Sequence, residues 1–465
     1  MEPRTLKFVA DASKGELLQG SPEVIVSRLC TDSRLVGAGN LFVALAGDRF
    51  DGHAFVAEAF KKGACAAMVN RAQMPVGPKG SALIGVADTR KALGDLAARY
   101  RRDFQCPFIV IGGSNGKTTT KELVTSVLRE RLRVLSSEAS FNNDLGVPLT
   151  LLNLRALHQL AVLEVGTNHP GELAPLVAMI QPRYGVLTNI GREHLEFFGD
   201  MNGVAQEEGW LAELLPAEGT LFVDGDGANM PKAIARTRAN VVRIGFEPTN
   251  NWRVRDLKVG DGGATFQVEA PDSEFTGDYE VRLVGRHQVR NALLAIAVGS
   301  EFGLSRSEIQ RGLLRCVPPK MRLQLWRING LHILDDTYNA NADSMRAALQ
   351  ALRDFPCQGR RVAVLGDMAE LGRHSSDAHA EVGRLAAELG VGQLFAVGSM
   401  APVMGRAARE AGLAMVREFS AVEAATEALQ AFVKAGDVVL LKASRSSRLE
   451  RISEALRARA GVVSG

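Results

Sequence analysis

The chain has 465 residues, of which 46% are hydrophobic and 23% are charged. This globular composition excludes a mostly disordered chain, and the length suggests about three domains at roughly 150 residues each. The 55 basic and 52 acidic residues leave a net charge of only +3, which gives no global electrostatic reason to bind nucleic acid or a membrane surface.

No targeting or membrane segment is expected. Residues 1–14 lack the apolar core of a signal peptide, and no apolar run approaches the ~20 residues that span a bilayer. The five cysteines are scattered and form no Cys-x-x-Cys pair, which favours free thiols over a disulfide framework or a zinc site. We therefore expect a cytoplasmic protein.

Three blocks follow one another along the chain, and all three predict α/β structure. Residues 1–105 combine a short strand at 41–45 with helices at 54–62 and 90–101, which indicates a smaller N-terminal α/β domain. The second block, 106–317, alternates strands with helices and therefore predicts a mostly parallel sheet. Its strands are expected at 108–111, 160–165 and 185–190, with an antiparallel insertion at 250–283.

The third block, residues 318–465, predicts a doubly wound unit of the dinucleotide-binding type. Ala-rich helices, such as 378–389, lie between apolar runs that are typical of strands. These runs are 361–365, 393–397 and 438–442.

The strongest local motif is Gly-Gly-Ser-Asn-Gly-Lys-Thr-Thr-Thr at 112–120, between an expected strand and an expected helix. This is the context of a phosphate loop, in which glycines let several N–H groups converge on one anion. Lys117 would reach the outer phosphates and Thr118 would bind Mg²⁺. The general pattern has glycine where this chain has Ile111, so the match is to a loop one residue shorter; an ordinary glycine-rich turn is the alternative.

Glu164 and His194 follow two of the expected strands of the second block. Ligands of open α/β sheets bind beyond the carboxyl ends of the strands, so both side chains are candidate Mg²⁺ ligands together with Thr118. The alternatives are a plain strand-end carboxylate and a histidine that caps a helix or lies in the core. Three further polar stretches, at 31–34 with 51–53, 140–148 and 335–341, are each explained equally well by Asx and Ser turns.

Taken together, these runs resemble the Mur ligases, ATP-dependent enzymes that form amide bonds in peptidoglycan assembly. The resemblance covers nearly the whole chain. It rests on residues 32–34, 42–44, 51–53, 116–122, 141–143, 164, 171–172, 194, 285–287, 291–292, 335–341, 366–372 and 442–445. The runs Tyr-Asn-Ala-Asn at 338–341 and Gly-Asp-Met-Ala-Glu-Leu-Gly at 366–372 are similar to the member that adds D-alanyl-D-alanine.

The resemblance implies a uridine-nucleotide-binding domain (1–105), a central phosphate-loop ATPase (106–317) and a C-terminal dinucleotide-fold-like domain (318–465) that closes over the nucleotide. It also implies ligation of D-alanyl-D-alanine to the terminal carboxylate of UDP-N-acetylmuramoyl-tripeptide. An acyl phosphate would form from ATP with Mg²⁺ as cofactor, and ADP and phosphate would be released. The enzyme would serve cell-wall biogenesis, cell shape and cell division, and family habit suggests a monomer.

The resemblance also assigns roles to residues. Lys117, Glu164 and His194 would be catalytic, with Thr118, Glu164 and His194 as metal ligands. Ser33 and Arg34 belong to the uridine-nucleotide motif, and Asn143 lies where the family contacts nucleotide or muramoyl peptide. The residues expected to hold ATP are Gly113, Ser114, Asn115, Gly116, Lys117, Thr118 and Thr119, with His287 and Asn291 near the adenine and Asp336 near the ribose.

One departure concerns a second metal. The family usually carries a lysine, carbamylated by CO₂, in the stretch that reads Ala-Gln-Glu-Glu-Gly at 205–209 here. Glu208 takes the lysine position, so Glu208, or its neighbour Glu207, is predicted to supply a genetically encoded carboxylate to the metal. Two milder departures, Ala342 for proline and Ala443 for glycine, affect local turn geometry.

Other functions remain open at this stage. Another Mur ligase or a folylpolyglutamate-synthase-like ligase would respond to a single amino acid. A phosphate-loop NTPase that acts as a switch or scaffold would hydrolyse ATP without transfer to a carboxylate. An inactive homologue is a further alternative, against which the presence of Lys117, Thr118, Glu164 and His194 argues.

Overall fold

A computed structural model describes residues 1–47, 50–73 and 81–459. The chain forms two compact units. The first comprises Met1–Val110, Leu132–Thr167 and Gly171–Tyr184; the second comprises Ile111–Arg131, Asn168–Pro170 and the chain from Gly185 onward. The predicted central domain, 106–317, contributes residues to both units, so the boundaries of the three domains stay a prediction.

The described residues contain 24 strands. In chain order they are β1 Arg4–Thr5, β2 Glu16–Gln19, β3 Ile25–Val26, β4 Arg28–Cys30, β5 Asn40–Val43, β6 Ala46–Gly47, β7 Phe50–Asp51, β8 Ala66–Asn70, β9 Ala82–Val86, β10 Phe108–Gly112, β11 Val134–Ser136, β12 Leu160–Glu164, β13 Tyr184–Leu187, β14 Thr220–Asp224, β15 Asn240–Gly245, β16 Trp252–Gly260, β17 Gly263–Glu269, β18 Gly277–Val281, β19 Gln324–Ile328, β20 Leu331–Asp336, β21 Arg361–Gly366, β22 Gln393–Val397, β23 Val416–Phe419 and β24 Val438–Lys442.

The same residues contain 16 α-helices. They are α1 Leu6–Ala12, α2 Val56–Lys61, α3 Thr89–Arg101, α4 Lys117–Leu128, α5 Gly146–Leu151, α6 Leu173–Ile180, α7 Leu195–Phe198, α8 Met201–Glu213, α9 Met230–Ala233, α10 Arg286–Glu301, α11 Arg306–Arg315, α12 Ala342–Asp354, α13 Ser375–Glu388, α14 Ala401–Glu410, α15 Val422–Phe432 and α16 Glu450–Arg459. None of the helices in the described ranges has both the length and the apolar character needed to cross a membrane.

The first unit contains a five-stranded sheet in the order β2-β9-β8-β5-β4. Strand β2 is antiparallel to β9, and the other neighbours are parallel. The predicted strand at 41–45 is β5, which is buried throughout, and the two predicted helices are α2 and α3. In the same unit β11 pairs in parallel with β12, whose last residue is Glu164.

The second unit contains strands in the order β10-β13-β14-β15-β16-β17-β18, and both β10 and β13 also have residues in the first unit. Pairing is parallel from β14 to β16 and antiparallel from β16 to β18. The antiparallel insertion predicted at 250–283 is therefore confirmed. The turn at Gly112–Gly116 joins β10 to α4, as the motif predicts.

The C-terminal part of the second unit forms a six-stranded sheet in the order β19-β20-β24-β21-β22-β23. Among the described strands of this sheet, only β19 runs antiparallel to its neighbour. Alternate strand residues face opposite sides: Ala363 and Leu365 pack with α12 to α14, whereas Val362 and Val364 pack with α15 and α16. Helices on both faces of a mostly parallel sheet confirm the doubly wound prediction.

A substitution at Phe395 tests the packing of the hydrophobic core between the six-stranded sheet and helices α15 and α16. The buried ring of Phe395 stacks on Phe419 and meets Phe432 edge-on, each at a centroid distance of 5.6 Å. We expect Phe395→Ala to destabilise the fold by about 3–5 kcal/mol, because the truncation leaves a cavity. Urea unfolding followed by tryptophan fluorescence measures the loss, since Trp326 packs against the same cluster.

The matched control is Val317→Ala, because Val317 is 78% exposed. It should change stability by less than about 0.5 kcal/mol. Equal unfolding midpoints for Phe395→Ala and the control would contradict the packing described.

Candidate active site

Two glycines shape the loop between β10 and α4. Gly113 has φ +108° and Gly116 has φ +84°, a region that strains any residue with a Cβ atom. A Cβ at Gly113 would lie 2.5 Å from Thr188 Oγ1, and one at Gly116 would lie 2.8 Å from Asn291 Oδ1. Only glycine therefore fits at either position. Ile111, where the general motif has glycine, is a buried residue of β10.

Residues 188–191, which follow β13, hold this loop in place. The backbone N–H of Ser114 donates to Asn189 O at 2.9 Å, and that of Asn115 donates to Asn189 Oδ1 at 3.1 Å. Thr188 Oγ1 donates to Asn115 O at 2.7 Å, and Gly191 N–H donates to Ser114 Oγ at 2.8 Å. The loop is thus fixed by hydrogen bonds within the protein. Helix α4 begins directly after it with Gly116 as its N-cap, which has no side chain to cover the first-turn amides.

Lys117 is placed at the mouth of this loop. Its ammonium donates to Gly113 O and, at 3.4 Å, to Ser114 O. Its Nζ also lies 3.5 Å from Glu193 Oε2, and both side chains are largely buried. The cation therefore faces the loop that the sequence predicted to bind phosphate.

Glu208 is fully buried beside the same loop, where its Oε2 accepts from Gly113 N–H at 2.7 Å. Burial raises the pKa of the Glu208 carboxyl, and the neighbouring Glu193 carboxylate raises it further, while Lys117 opposes both. Glu208 Oε1 and Glu193 Oε1 are buried and have no hydrogen-bond partner among the described residues. The raised pKa favours a neutral Glu208 carboxyl in the absence of a cation, and a cation bound beside it would favour the charged form.

The magnesium ligands predicted from the sequence can be tested against these surroundings. The hydroxyl of Thr118 is buried and unpaired within the described part of the chain, which suits a hydroxyl that binds Mg²⁺. No group of three or more His, Cys, Asp or Glu side chains among the described residues is arranged to hold a metal ion. Mg²⁺ usually keeps waters and phosphate oxygens beside one or two carboxylates, so Thr118 and Glu208 fit such an ion without a complete protein cage.

Glu164 lies in the first unit, at the end of β12, and is 1% exposed. Its Oε1 accepts from Asn142 Nδ2 at 2.9 Å, whereas its Oε2 is buried without a partner in the described ranges. Asn143, the next residue, uses its Oδ1 to accept from Gly146 N–H at 2.9 Å in the turn before α5. The structure therefore gives Asn143 a turn role, and its predicted substrate contact is untested.

His194 has a left-handed backbone, with φ +46°, at the start of α7. Its Nδ1 lies 2.5 Å from Glu370 Oε2, and this contact lowers the pKa of the Glu370 carboxyl. A carboxylate on one ring nitrogen orients the ring so that the other nitrogen is the one that could bind a metal. Glu370 belongs to the 366–372 run, so the structure joins two motifs that the sequence predicted separately.

The residues predicted near the adenosine also lie in the second unit. Asn291 is buried and its Nδ2 donates to Gln288 Oε1 at 2.9 Å. Desolvation lowers the pKa of His287 to about 4, so its ring is neutral near pH 7, although the nearby Asp336 acts in the opposite direction. Asp336 Oδ2 lies 2.5 Å from Lys442 Nζ. The lysine of the 442–445 motif is thus the partner of the predicted ribose ligand.

The predicted uridine-nucleotide residues lie in the first unit. The Arg34 guanidinium donates to the Asp32 carboxylate through Nε at 2.9 Å and Nη2 at 2.7 Å, and lowers the pKa of that carboxyl to about 2. The carbonyl of Ser33 accepts from Lys62 Nζ at 3.1 Å. The Arg34 side chain is 83% exposed, so its charge faces solvent.

Glu193 was not assigned a role from the sequence. The available signal was its position directly before His194 in a strand-end run. Its neighbour Arg192 was missed as well, because both of its partners, Asp343 and Glu381, lie far along the chain.

The substitution Gly116→Ala tests whether the conformation of the loop between β10 and α4 is needed for nucleotide binding. We expect it to weaken nucleotide binding at least about tenfold, because the new Cβ meets the Asn291 amide at 2.8 Å and displaces the loop or the helix. Calorimetric titration with ADP and Mg²⁺ measures the affinity.

Gly412→Ala serves as the control, since Gly412 also has a positive φ, +95°, but open space around its Cβ position. Both substitutions should cost about 1–2 kcal/mol of stability. If they also had the same affinity for ADP, the close approach at Gly116 would have no functional meaning.

Comparison with known families matches three parts of the chain. Residues 26–101 match the Mur ligase family catalytic domain, residues 111–299 the Mur ligase middle domain, and residues 321–445 the Mur ligase glutamate ligase domain. Each match lies inside one of the three predicted domains.

Individual proteins are similar over nearly the whole length. UDP-N-acetylmuramoyl-tripeptide–D-alanyl-D-alanine ligase of Escherichia coli (strain K12) is 35% identical, covering 97% of this chain and 98% of that protein. The crystal structure of MurF from Acinetobacter baumannii has a TM-score of 0.89 at 32% identity, covering 98% of this chain and 99% of that one. The structure of MurF ligase from Thermotoga maritima in complex with ADP has a TM-score of 0.81 at 28% identity, covering 93% of this chain and 98% of that one.

These similarities agree with the motifs read from the sequence and with the α/β architecture. The chain belongs to the Mur ligase family.

Proposed function

We propose that the chain is an ATP-dependent ligase that joins D-alanyl-D-alanine to the terminal carboxylate of UDP-N-acetylmuramoyl-tripeptide in peptidoglycan precursor synthesis. The observation that carries the proposal is the preformed phosphate loop with Lys117 at its mouth, in a chain that aligns over 97% of its length with a ligase of that name. ADP and phosphate are the other products.

The chemistry follows from the weakness of a carboxylate as an acyl donor. A carboxylate oxygen attacks the γ-phosphorus of ATP, the bond from that phosphorus to the ADP oxygen breaks, and an acyl phosphate forms. The amine of D-alanyl-D-alanine then attacks the carbonyl carbon. Phosphate leaves with the bonding electrons of the C–O bond, and the nitrogen loses a proton.

Residues of this chain have defined tasks in these steps. The amides of residues 113–115 already donate to Glu208 and Asn189, so the amides of residues 116–119, at the start of α4, are the ones proposed to bind phosphate oxygens. The Lys117 ammonium neutralises charge that develops on the transferring group. When bound, Mg²⁺ adds positive charge at the same group, and Thr118, Glu164, His194 and Glu208 are the proposed residues that hold it. Catalysis in this scheme is electrostatic, because the chain supplies no nucleophile of its own.

The remaining site residues bind and orient the substrates. His287 and Asn291 are proposed to contact the adenine, and Asp336, held by Lys442, the ribose. Ser33 and Arg34 are proposed for the uridine nucleotide, and Asn143 for nucleotide or muramoyl peptide. Cytoplasmic location and a monomeric state belong to the same proposal.

Glu208 is proposed to replace the carbamylated lysine of the family. It is buried at the phosphate loop, it carries an oxygen without a partner among the described residues, and it lies beside a second carboxylate. Its charge is encoded in the sequence, so the proposed enzyme needs no CO₂. Glu207, the alternative, is also buried.

The dependence of ADP release on each substrate tests the proposed ligase function. We expect ADP release to require ATP, UDP-N-acetylmuramoyl-tripeptide and D-alanyl-D-alanine together, and Lys117→Ala to lower kcat/KM at least about 10³-fold because phosphoryl charge is no longer neutralised. A coupled ADP assay and mass detection of the amide measure both. The control, Lys232→Ala, removes an exposed lysine whose partner is Asn202, and should retain activity.

Two results would refute the ligase function. One is turnover that does not change when the dipeptide is omitted, which is the behaviour of a switch NTPase. The other is stimulation by a single amino acid instead of the dipeptide, which would indicate another ligase of the family.

The effect of CO₂ on enzyme activity tests whether Glu208 replaces the carbamylated lysine. We expect wild-type activity to be the same in CO₂-depleted buffer and with added bicarbonate. Glu208→Gln should lower kcat at least about 10²-fold, because the amide keeps the hydrogen bond from Gly113 but carries no charge. It should also reduce the increase in thermal midpoint that Mg²⁺ and ADP produce.

Glu207→Gln is the adjacent comparison and should lose far less activity. Activation of the wild-type enzyme by bicarbonate would show that a lysine carbamate is present and that the replacement idea is wrong. A greater loss in Glu207→Gln than in Glu208→Gln would assign the carboxylate to Glu207.

A further inference from the structure

Arg192 links the segment after β13 to the C-terminal α/β region. Its guanidinium donates to Glu381 through Nη1 at 2.6 Å and Nη2 at 3.0 Å, and to Asp343 through Nε at 2.8 Å. Its backbone N–H donates to the other Asp343 oxygen at 2.7 Å. Two carboxylates on two different helices, α12 and α13, are thus held by one residue.

The start of α12 also touches the phosphate loop. Asn341, the N-cap of α12, accepts from Ser344 N–H at 2.8 Å, and its Nδ2 donates to Asn115 Oδ1 at 2.9 Å. Asp343 lies two residues further along the same helix start. Arg192 therefore fixes the end of α12 that contacts the loop.

The ion pairs are stronger than a typical surface contact for reasons of geometry and charge. Arg192 binds one carboxylate in bidentate fashion and the second through both its side chain and its main chain, and its side chain is only 29% exposed. The Arg192 guanidinium, together with Arg346, lowers the pKa of the Glu381 carboxyl to about 2, so the pair stays charged at neutral pH.

We propose that Arg192 is a positioning residue that holds the C-terminal domain against the phosphate loop while the acyl phosphate exists, so that the amine and not water attacks it. The inference rests on the proposed ligase function. Attack by water at the same carbonyl carbon breaks the same C–O bond and returns the carboxylate and phosphate, so ATP is consumed without an amide. A domain that stays in place excludes water and keeps the amine aligned.

The experiment measures moles of ADP formed per mole of amide with all three substrates present. The wild-type enzyme should give a ratio near one. Arg192→Ala should raise the ratio at least about threefold and lower kcat for the amide about tenfold, because water gains access and the amine is less well oriented. Arg192→Lys keeps the charge but not the bidentate geometry, and should give an intermediate ratio.

Arg409→Ala is the matched control. It removes an arginine that pairs with Glu418 at 2.6 Å within the C-terminal region, far along the chain from the loop contacts, and should keep the wild-type ratio. Asp343→Asn breaks the same link from the other side, and provides the test if Arg192→Ala does not fold, as judged by circular dichroism. It should also raise the ratio.

The outcomes separate the two proposals. A wild-type protein that forms no amide refutes the proposed function. A wild-type enzyme that forms the amide, with an unchanged ratio in folded Arg192→Ala or Asp343→Asn, overturns the role of Arg192 even if the rate falls, because a merely structural role lowers ADP and amide formation together.

Discussion

The hydrogen bonds between the phosphate loop and residues 188–191 are the interaction on which the site depends. Gly113 and Gly116 permit the backbone path of the loop, but glycine alone leaves a chain free to adopt many conformations. Contacts from Thr188, Asn189 and Gly191 select one of them. The amides at the start of α4 are therefore oriented before any phosphate would arrive, which is the arrangement that lowers the cost of stabilising a developing charge.

Charge at this loop is balanced only in part by the protein. Lys117 faces Glu193, and Glu208 is buried beside both. A second buried carboxylate beside one ammonium is costly unless it is protonated or a further cation is bound, and the raised pKa of the Glu208 carboxyl reflects this cost. The same cost is the physical basis for expecting a metal here. Glu208 is a carboxylic acid that the sequence itself encodes. The proposed enzyme would therefore place a negatively charged metal ligand here without a reaction with CO₂.

One short segment, residues 188–194, combines several of these tasks. Its first residues hold the phosphate loop, Glu193 faces Lys117, and His194 pairs with Glu370. Arg192, between them, reaches α12 and α13. A shift of this segment would therefore alter the loop, the local charge and the position of the C-terminal domain together.

The sequence by itself determined the α/β class, the family, the glycine-rich loop between β10 and α4, and several of the strands and helices. Each depends on residues that are neighbours in the chain, or on apolar patterns with the period of a strand or a helix. Only the tertiary structure decided which side chains meet: Glu208 with Gly113, 95 residues apart, and Asn341 with Asn115, 226 apart. The roles of Glu193 and Arg192 were missed for this reason, since a contact between distant residues is set by how sheets and helices pack, and local sequence carries no record of it.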